Sequence, residues 1–230
     1  MSINQENDKW LNQQFGQPAH QQFIRAAVTG PIGSGKTFLT QKLQEKGAII
    51  ISWDKIYANL IKTDEILRSQ IIEAFSLSAK SNIINELKKI IFGSFNNLLN
   101  NGESNYKCDY NKAAITILNN ITHPIIAKKA WEMETNLLIE YSKKGQLTPN
   151  PDDLYPLVVH EIPLLYQSPL YDARLDSKFD RIYICLASDK TLIQRIMQRD
   201  NLSLLEAKKR LEATKYNFPI QDPKVIVVNS

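Results

Sequence analysis

Residues Gly30 to Thr37 read G-P-I-G-S-G-K-T, a spacing of residue types that makes a cradle for phosphate. Glycine at 30, 33 and 35 lets the main chain turn with its N–H groups inward, forming a nest for phosphate oxygens. Lys36 brings a compact positive charge to β- and γ-phosphates, and the Thr37 hydroxyl is a ligand for the Mg²⁺ that travels with ATP. The setting agrees with the pattern G-x-x-x-x-G-K-[ST]: an apolar run, Ile24–Val28, leads in, and a helical pattern follows. That helix adds the positive end of its dipole to the same site.

Other residues could complete the chemistry. Asp54 follows a second apolar run, Ala48–Ile51, and so falls on the sheet edge that carries the loop. An aspartate there serves equally as N-cap of a helix starting at Lys55 or as the carboxylate that orients an acceptor alcohol and takes its proton. Composition and order leave both open. Glu161, at the end of Val158-Val159, could hold a Mg²⁺-bound water, while His160 beside it reads as structural. Arg195 and Arg199 are four apart and share a helix face; such pairs are usually solvated or salt-bridged, but after a sheet strand they could clamp phosphate oxygens. Arg210 could pair with Glu206 one turn earlier, and His123, before a proline, could cap a helix. Trp53 and Trp131 read as packing residues.

These groups need a scaffold. The strand Ile24–Val28, a helix over Thr37–Lys46 with Phe38, Leu39 and Leu43 on its buried side, a stop at Gly47 and the strand Ala48–Ile51 make a βαβ unit, hence parallel strands. Helical spacing returns at Asn82–Phe92, closed by Gly93, and 100–105 reads as a loop. Ala113–Ile121 reads as one helix, and Pro124 opens another that runs to about Lys144. Strands recur at Leu157–Val159, Arg181–Leu186 and Val225–Val228, with helices over Asp189–Arg199 and from a Ser203/Glu206 capping box through Arg210. The expected fold is α/β, a mainly parallel sheet of the P-loop NTPase type flanked by helices. A Gln/Asn-rich extension, 1–22, precedes a single domain, 23–230. Its core is 23–54, 155–188 and 216–230, with a helical acceptor-binding subdomain at 55–145 and a lid at 189–215.

Bulk properties narrow the class. With 230 residues, 43% hydrophobic and 23% charged, the chain can bury a full core. Its 28 basic and 24 acidic residues give a net charge of only +4, which argues against nucleic acid and for a small polyanionic ligand met by local Lys and Arg. Cys108 and Cys185 lack metal-binding spacing and read as reduced thiols. No apolar stretch approaches the ~20 residues needed to span a bilayer, and the N-terminus has no signal-peptide core; a cytosolic protein is expected.

With these motifs in order, the chain resembles the dephospho-CoA kinases, P-loop enzymes that phosphorylate the ribose 3′-hydroxyl of dephospho-CoA. The resemblance covers most of 24–229 and rests on T-G-P-I-G-S-G-K-T at 29–37, Asp54 after its strand, and His123-Pro124. It continues with I-P-L-L-Y at 162–166, F-D at 179–180, Q-R-I-M-Q-R-D at 194–200, Leu202-Ser203 with Glu206-Ala207 and Arg210, and Asn229. It implies ATP and Mg²⁺ as cofactors and ATP and dephospho-CoA as small-molecule substrates. It implies catalytic roles for Lys36, Asp54 and Arg199, and ATP contacts at Gly33, Ser34, Gly35, Lys36, Thr37, Phe38, Arg195 and Asn229. Acceptor contacts fall on Asp54, Lys112 and His123, and metal contacts on Thr37 and Glu161. The chain departs from the family pattern at Asn111-Lys112, where an Asp-Arg pair is usual, at Gln167 for Glu, and at Thr214 for Gln. Another small-molecule P-loop kinase, such as a nucleoside monophosphate kinase, and a non-catalytic nucleotide-binding paralogue are the competing readings.

Overall fold

The computed structural model describes residues 23–78, 82–92, 111–145, 156–168, 173–214 and 216–230, the side chains of 92, 112, 173, 174 and 213 excepted. The expected extension 1–22, the stop at Gly93, the loop 100–105, Cys108 and the Lys112 side chain therefore lie outside the described residues.

Five strands form one parallel sheet in the order β2-β3-β1-β4-β5: β1 (Ile24–Thr29), β2 (Ile49–Ser52), β3 (Leu157–Glu161), β4 (Arg181–Leu186) and β5 (Val225–Asn229). The inner strands are nearly continuous runs of Val, Ile, Leu and Ala because both faces are covered. On one face Ala26, Val28, Leu157 and Val159 pack against Leu39 and Leu43 of helix α1 (Lys36–Glu45). On the other, Ala27, Ile49, Ile51, Val158 and Ile182 meet the helices α2 (Trp53–Thr63), α3 (Glu65–Ala74), α4 (Ile83–Phe92) and α5 (Lys112–Lys143). After a short helix α6 (Ala173–Asp176), the helices α7 (Asp189–Asp200) and α8 (Leu204–Ala213) share a separate apolar cluster of Leu192, Ile196, Ala207 and Leu211.

Register sets the chemistry. Glu161 pairs with both Val28 and Ser52, and Leu186 with Asn229, so the C-terminal ends of all five strands meet along one edge. The loop after β1, the start of α2 and the end of β3 are thereby gathered together, as an open parallel sheet requires of its ligand site.

Three local expectations are corrected. Phe38 is 65% exposed; one position before Leu39, it is turned away from the sheet, and its ring lies beneath the Lys42 ammonium. Pro124 opens no helix but lies inside α5, which runs unbroken for 32 residues. Packing of α5 on α2, α3, α4 and β2 outweighs the hydrogen bond the proline removes. Arg210 bonds Asp200, not Glu206, whose carboxylate is engaged by Ser203 in the expected capping box.

Candidate active site

The phosphate loop owes its shape to left-handed glycines, with φ of 140° at Gly30 and 88° at Gly35. Gly35 starts α1 without any side-chain cap, and no acidic residue occupies the first turn. A helix N-terminus left in that state favours an anion. Lys36 Nζ donates to the carbonyls of Gly30 and Pro31 at 2.8 and 2.9 Å, which holds the ammonium over the loop. Burial lowers its pKa, opposed by Cys185, Asp54 and Glu161.

Around the loop opens a cleft of about 490 Å³ that collects Gly33, Ser34, Gly35, Lys36, Thr37, Asp54, Glu161, Arg195, Arg199 and Thr214. The Thr37 hydroxyl donates to Glu161 Oε1 at 3.3 Å. Two hard oxygens side by side beside a phosphate cradle suit Mg²⁺, which takes one or two protein ligands and fills its octahedron with phosphates and water. Among the described residues there is no group of three or more acidic, histidine or cysteine side chains that could hold a metal ion.

Asp54 does not cap its helix. The helix α2 begins one residue earlier, at Trp53, with Ser52 in the cap position and no side-chain cap bond. The carboxylate is left free to line the cleft. It also lines two neighbouring cavities: one of about 230 Å³ with Trp53, Tyr57, Thr122 and His123, and one of about 570 Å³ between α1 and α2/α5 with Gln41, Gln44, Asn59 and Lys129. Its pKa is raised, first by burial and then by the charge of Glu161, while Lys36 works the other way. A carboxylate tuned upward suits proton abstraction near neutral pH.

The cleft's far wall comes from Arg195 and Arg199 of α7 and from Thr214, just past α8. Arg195 Nη1 donates to the Gly33 carbonyl at 3.2 Å and to Ser230 Oγ at 2.9 Å. Arg199 donates from Nε and Nη2 to the two carboxylate oxygens of Asp200, at 2.8 and 2.9 Å, and Asp200 also accepts from Arg210. His123 stands inside α5, not at a cap; its Nδ1 is 2.7 Å from Ser168 Oγ, and burial drives its pKa down to about 4.

Most of the expected site residues are thus brought together; Phe38 and Asn229 are not, and the Lys112 side chain lies outside the described residues. The Phe38 ring faces solvent, leaving only its main chain near the loop, and Asn229 at the end of β5 is not part of the cleft wall. Ser34 reaches the cleft, but its side chain is buried, and its N–H donates to the Pro31 carbonyl at 3.3 Å. The residues that sequence reasoning missed are Ser230, whose hydroxyl donates to the Ser34 carbonyl, and Thr214, whose Oγ1 accepts from the Ile32 N–H at 3.4 Å. Ser230 follows the strand β5, and that position on the functional edge was the available signal; Thr214 was marked only as a departure from the family pattern.

A parallel sheet of this order with a Gly-Lys-Thr cradle at its edge and a carboxylate across the cleft defines a P-loop phosphotransferase. The chain belongs to the dephospho-CoA kinase family, whose model matches residues 24–217. It is 26% identical over 199 residues to a dephospho-CoA kinase of Shouchella clausii, covering 83% of this chain and 81% of the relative. It is 28% identical over 194 residues to a dephospho-CoA kinase of Carboxydothermus hydrogenoformans, covering 81% and 75%. The crystal structure of TT1252 from Thermus thermophilus shares the fold, with a TM-score of 0.58 at 19% identity over 91% of this chain and 90% of that one.

Proposed function

We propose that the chain transfers the γ-phosphoryl group of ATP to the ribose 3′-hydroxyl of dephospho-CoA, giving coenzyme A and ADP. Family membership supports the acceptor. The observation that carries the chemistry is the place of Asp54, which lines both the phosphate cleft and the cavity beside His123.

In this reading the N–H groups of 33–38 and the Lys36 ammonium hold the phosphates, with Arg195 and Arg199 neutralising charge from the α7 side. Thr37 and Glu161 would hold Mg²⁺, which when bound offsets negative charge on the transferring group. The acceptor hydroxyl donates a hydrogen bond to Asp54; as its oxygen bonds to the γ-phosphorus and the bond to ADP breaks, Asp54 takes the proton. His123, Tyr57 and Lys112 serve the acceptor side, in an acceptor-binding subdomain over 55–145. The segment 189–215 acts as a lid that excludes water from a reaction that would otherwise waste ATP. We place this chemistry in the cytosol, the compartment that suits an ATP-consuming enzyme with the free, buried thiol of Cys185.

The test is ADP formation from MgATP with dephospho-CoA, with nucleoside monophosphates, and with no acceptor. The expected result is turnover that requires dephospho-CoA and a product phosphorylated at the 3′ position. Preference for a nucleoside monophosphate, or ATP binding with no ADP formed under any condition, would contradict it.

A further inference from the structure

On β3 the side chain of Glu161 turns to the cleft, and that of His160, its neighbour, turns into the core, where it is 0% exposed. The ring is fixed from both ends. Nδ1 faces the Trp53 indole nitrogen at 3.1 Å, and Nε2 faces Glu134 Oε2 at 2.7 Å. An indole N–H can only donate, so Nδ1 carries the lone pair and the imidazole proton sits on Nε2, aimed at the carboxylate. Glu134, 4% exposed on α5, also accepts from Arg25 Nε on β1 at 3.0 Å. Trp131 and Phe179 close around the ring, with centroids 4.5 and 5.8 Å away. One polar chain thus joins β1, α5, β3 and α2, and its last link is the residue next to Asp54.

Filling this space with an apolar side chain would avoid the cost of desolvating a carboxylate and an imidazole. What the polar set adds is direction. The first turn of α2 has no side-chain cap, and the indole bond ties it to the sheet. Trp53 also forms part of the wall of the cavity that holds Asp54, Tyr57 and His123.

We propose that His160 is a positioning residue: by clamping the Trp53 indole it fixes the first turn of α2, and so the station of Asp54 between phosphate cradle and acceptor cavity. The inference rests on the kinase reading of Asp54 given above. Arg25 and Glu134 act one step further out, holding the imidazole in the tautomer that accepts from Trp53.

Three variants separate the bonds. His160→Asn keeps an acceptor near the Nδ1 position, His160→Gln keeps a donor near Nε2, and Trp53→Phe removes the indole N–H while keeping an aromatic ring. Two readouts apply: hydrogen exchange of the Trp53 indole N–H by NMR, assigned through its loss in Trp53→Phe, and KM and kcat for each substrate. His160→Gln and Trp53→Phe should lower kcat/KM for dephospho-CoA about tenfold, the order of one lost hydrogen bond, and leave KM for ATP within about twofold. His160→Asn should stay within about threefold of the parent, and combining His160→Gln with Trp53→Phe should cost no more than the worse single change. Indole protection should persist in His160→Asn and vanish in His160→Gln. Equal exchange in these two variants, or activities that fall together in step with thermal midpoints, would overturn the proposal. A parent that does not phosphorylate dephospho-CoA would overturn the kinase reading alone, and the clamp would then be judged by indole exchange.

Discussion

Gly30 is the residue with least room to change. Its φ of 140° belongs to glycine, and a Cβ there would overlap the Cys185 carbonyl oxygen on β4. Gly30→Ala should therefore lower the unfolding free energy by about 3 kcal/mol or more, read as a shift of the urea midpoint; an unmoved midpoint would contradict the loop geometry. Asp54 makes a second prediction. With its pKa raised by burial and by Glu161, the carboxylate loses its charge at a higher pH than an ordinary aspartate. The acid limb of kcat/KM for the acceptor should then lie above pH 3.8, and Glu161→Gln should move it downward. Lys36, Thr37, Asp54 and Glu161 were legible in the sequence because each lies at or beyond the C-terminal end of a strand that reads as parallel: the first two across the glycine loop after β1, Asp54 two residues past β2, and Glu161 closing β3. Thr214 was not, since its contact with the Ile32 N–H depends on how α8 folds back onto the loop.

At the scale of elements, the strands announced themselves, as did the helices after Ser188 and Ser203, whereas α3 behind its Asp64 cap was read only as part of a helical segment. The strands β1, β2 and β4 are short apolar runs that could be seen directly, and Gly47 ends α1 with φ of 95° as its position suggested. The single helix α5 was hidden by Pro124, a strong local breaker. The buried side chains of Ile126, Ala127, Ala130 and Trp131 just after it hold the chain against the core, and no local rule weighs that packing. If packing alone holds the helix through the proline, Pro124→Ala should add roughly 1 kcal/mol by restoring a main-chain bond, seen as a higher thermal midpoint. A lower midpoint would contradict it. Phe38 failed for a related reason: three apolar residues at 38, 39 and 43 allow a wide stripe, and the sheet covers only the part under Leu39 and Leu43.

For the molecule as a whole, burial of uncharged histidine sets the acid limit of stability. His123 has its pKa lowered from 6.5 to about 4, and His160 is lowered too, by burial first. As pH falls below 6.5 the unfolded chain binds protons that the folded chain refuses until about pH 4, so stability is complete above that window and declines through it. For His123 the loss at pH 5 is about 2 kcal/mol, and a urea midpoint that stayed flat from pH 7 to 4.5 would contradict it. Glu134, where burial is outweighed by the hydrogen bonds of His160 and Arg25 and the pKa falls to about 2, extends the decline below pH 4.5. The central claim also belongs to this scale, because it concerns two parts of the chain meeting across one cleft. It is tested most directly by dephospho-CoA-dependent ADP formation in Asp54→Asn, beside ATP affinity measured by calorimetry. The predicted result is turnover reduced about 10²- to 10⁴-fold with ATP affinity within about twofold of the parent; equal turnover in the two proteins would contradict the account.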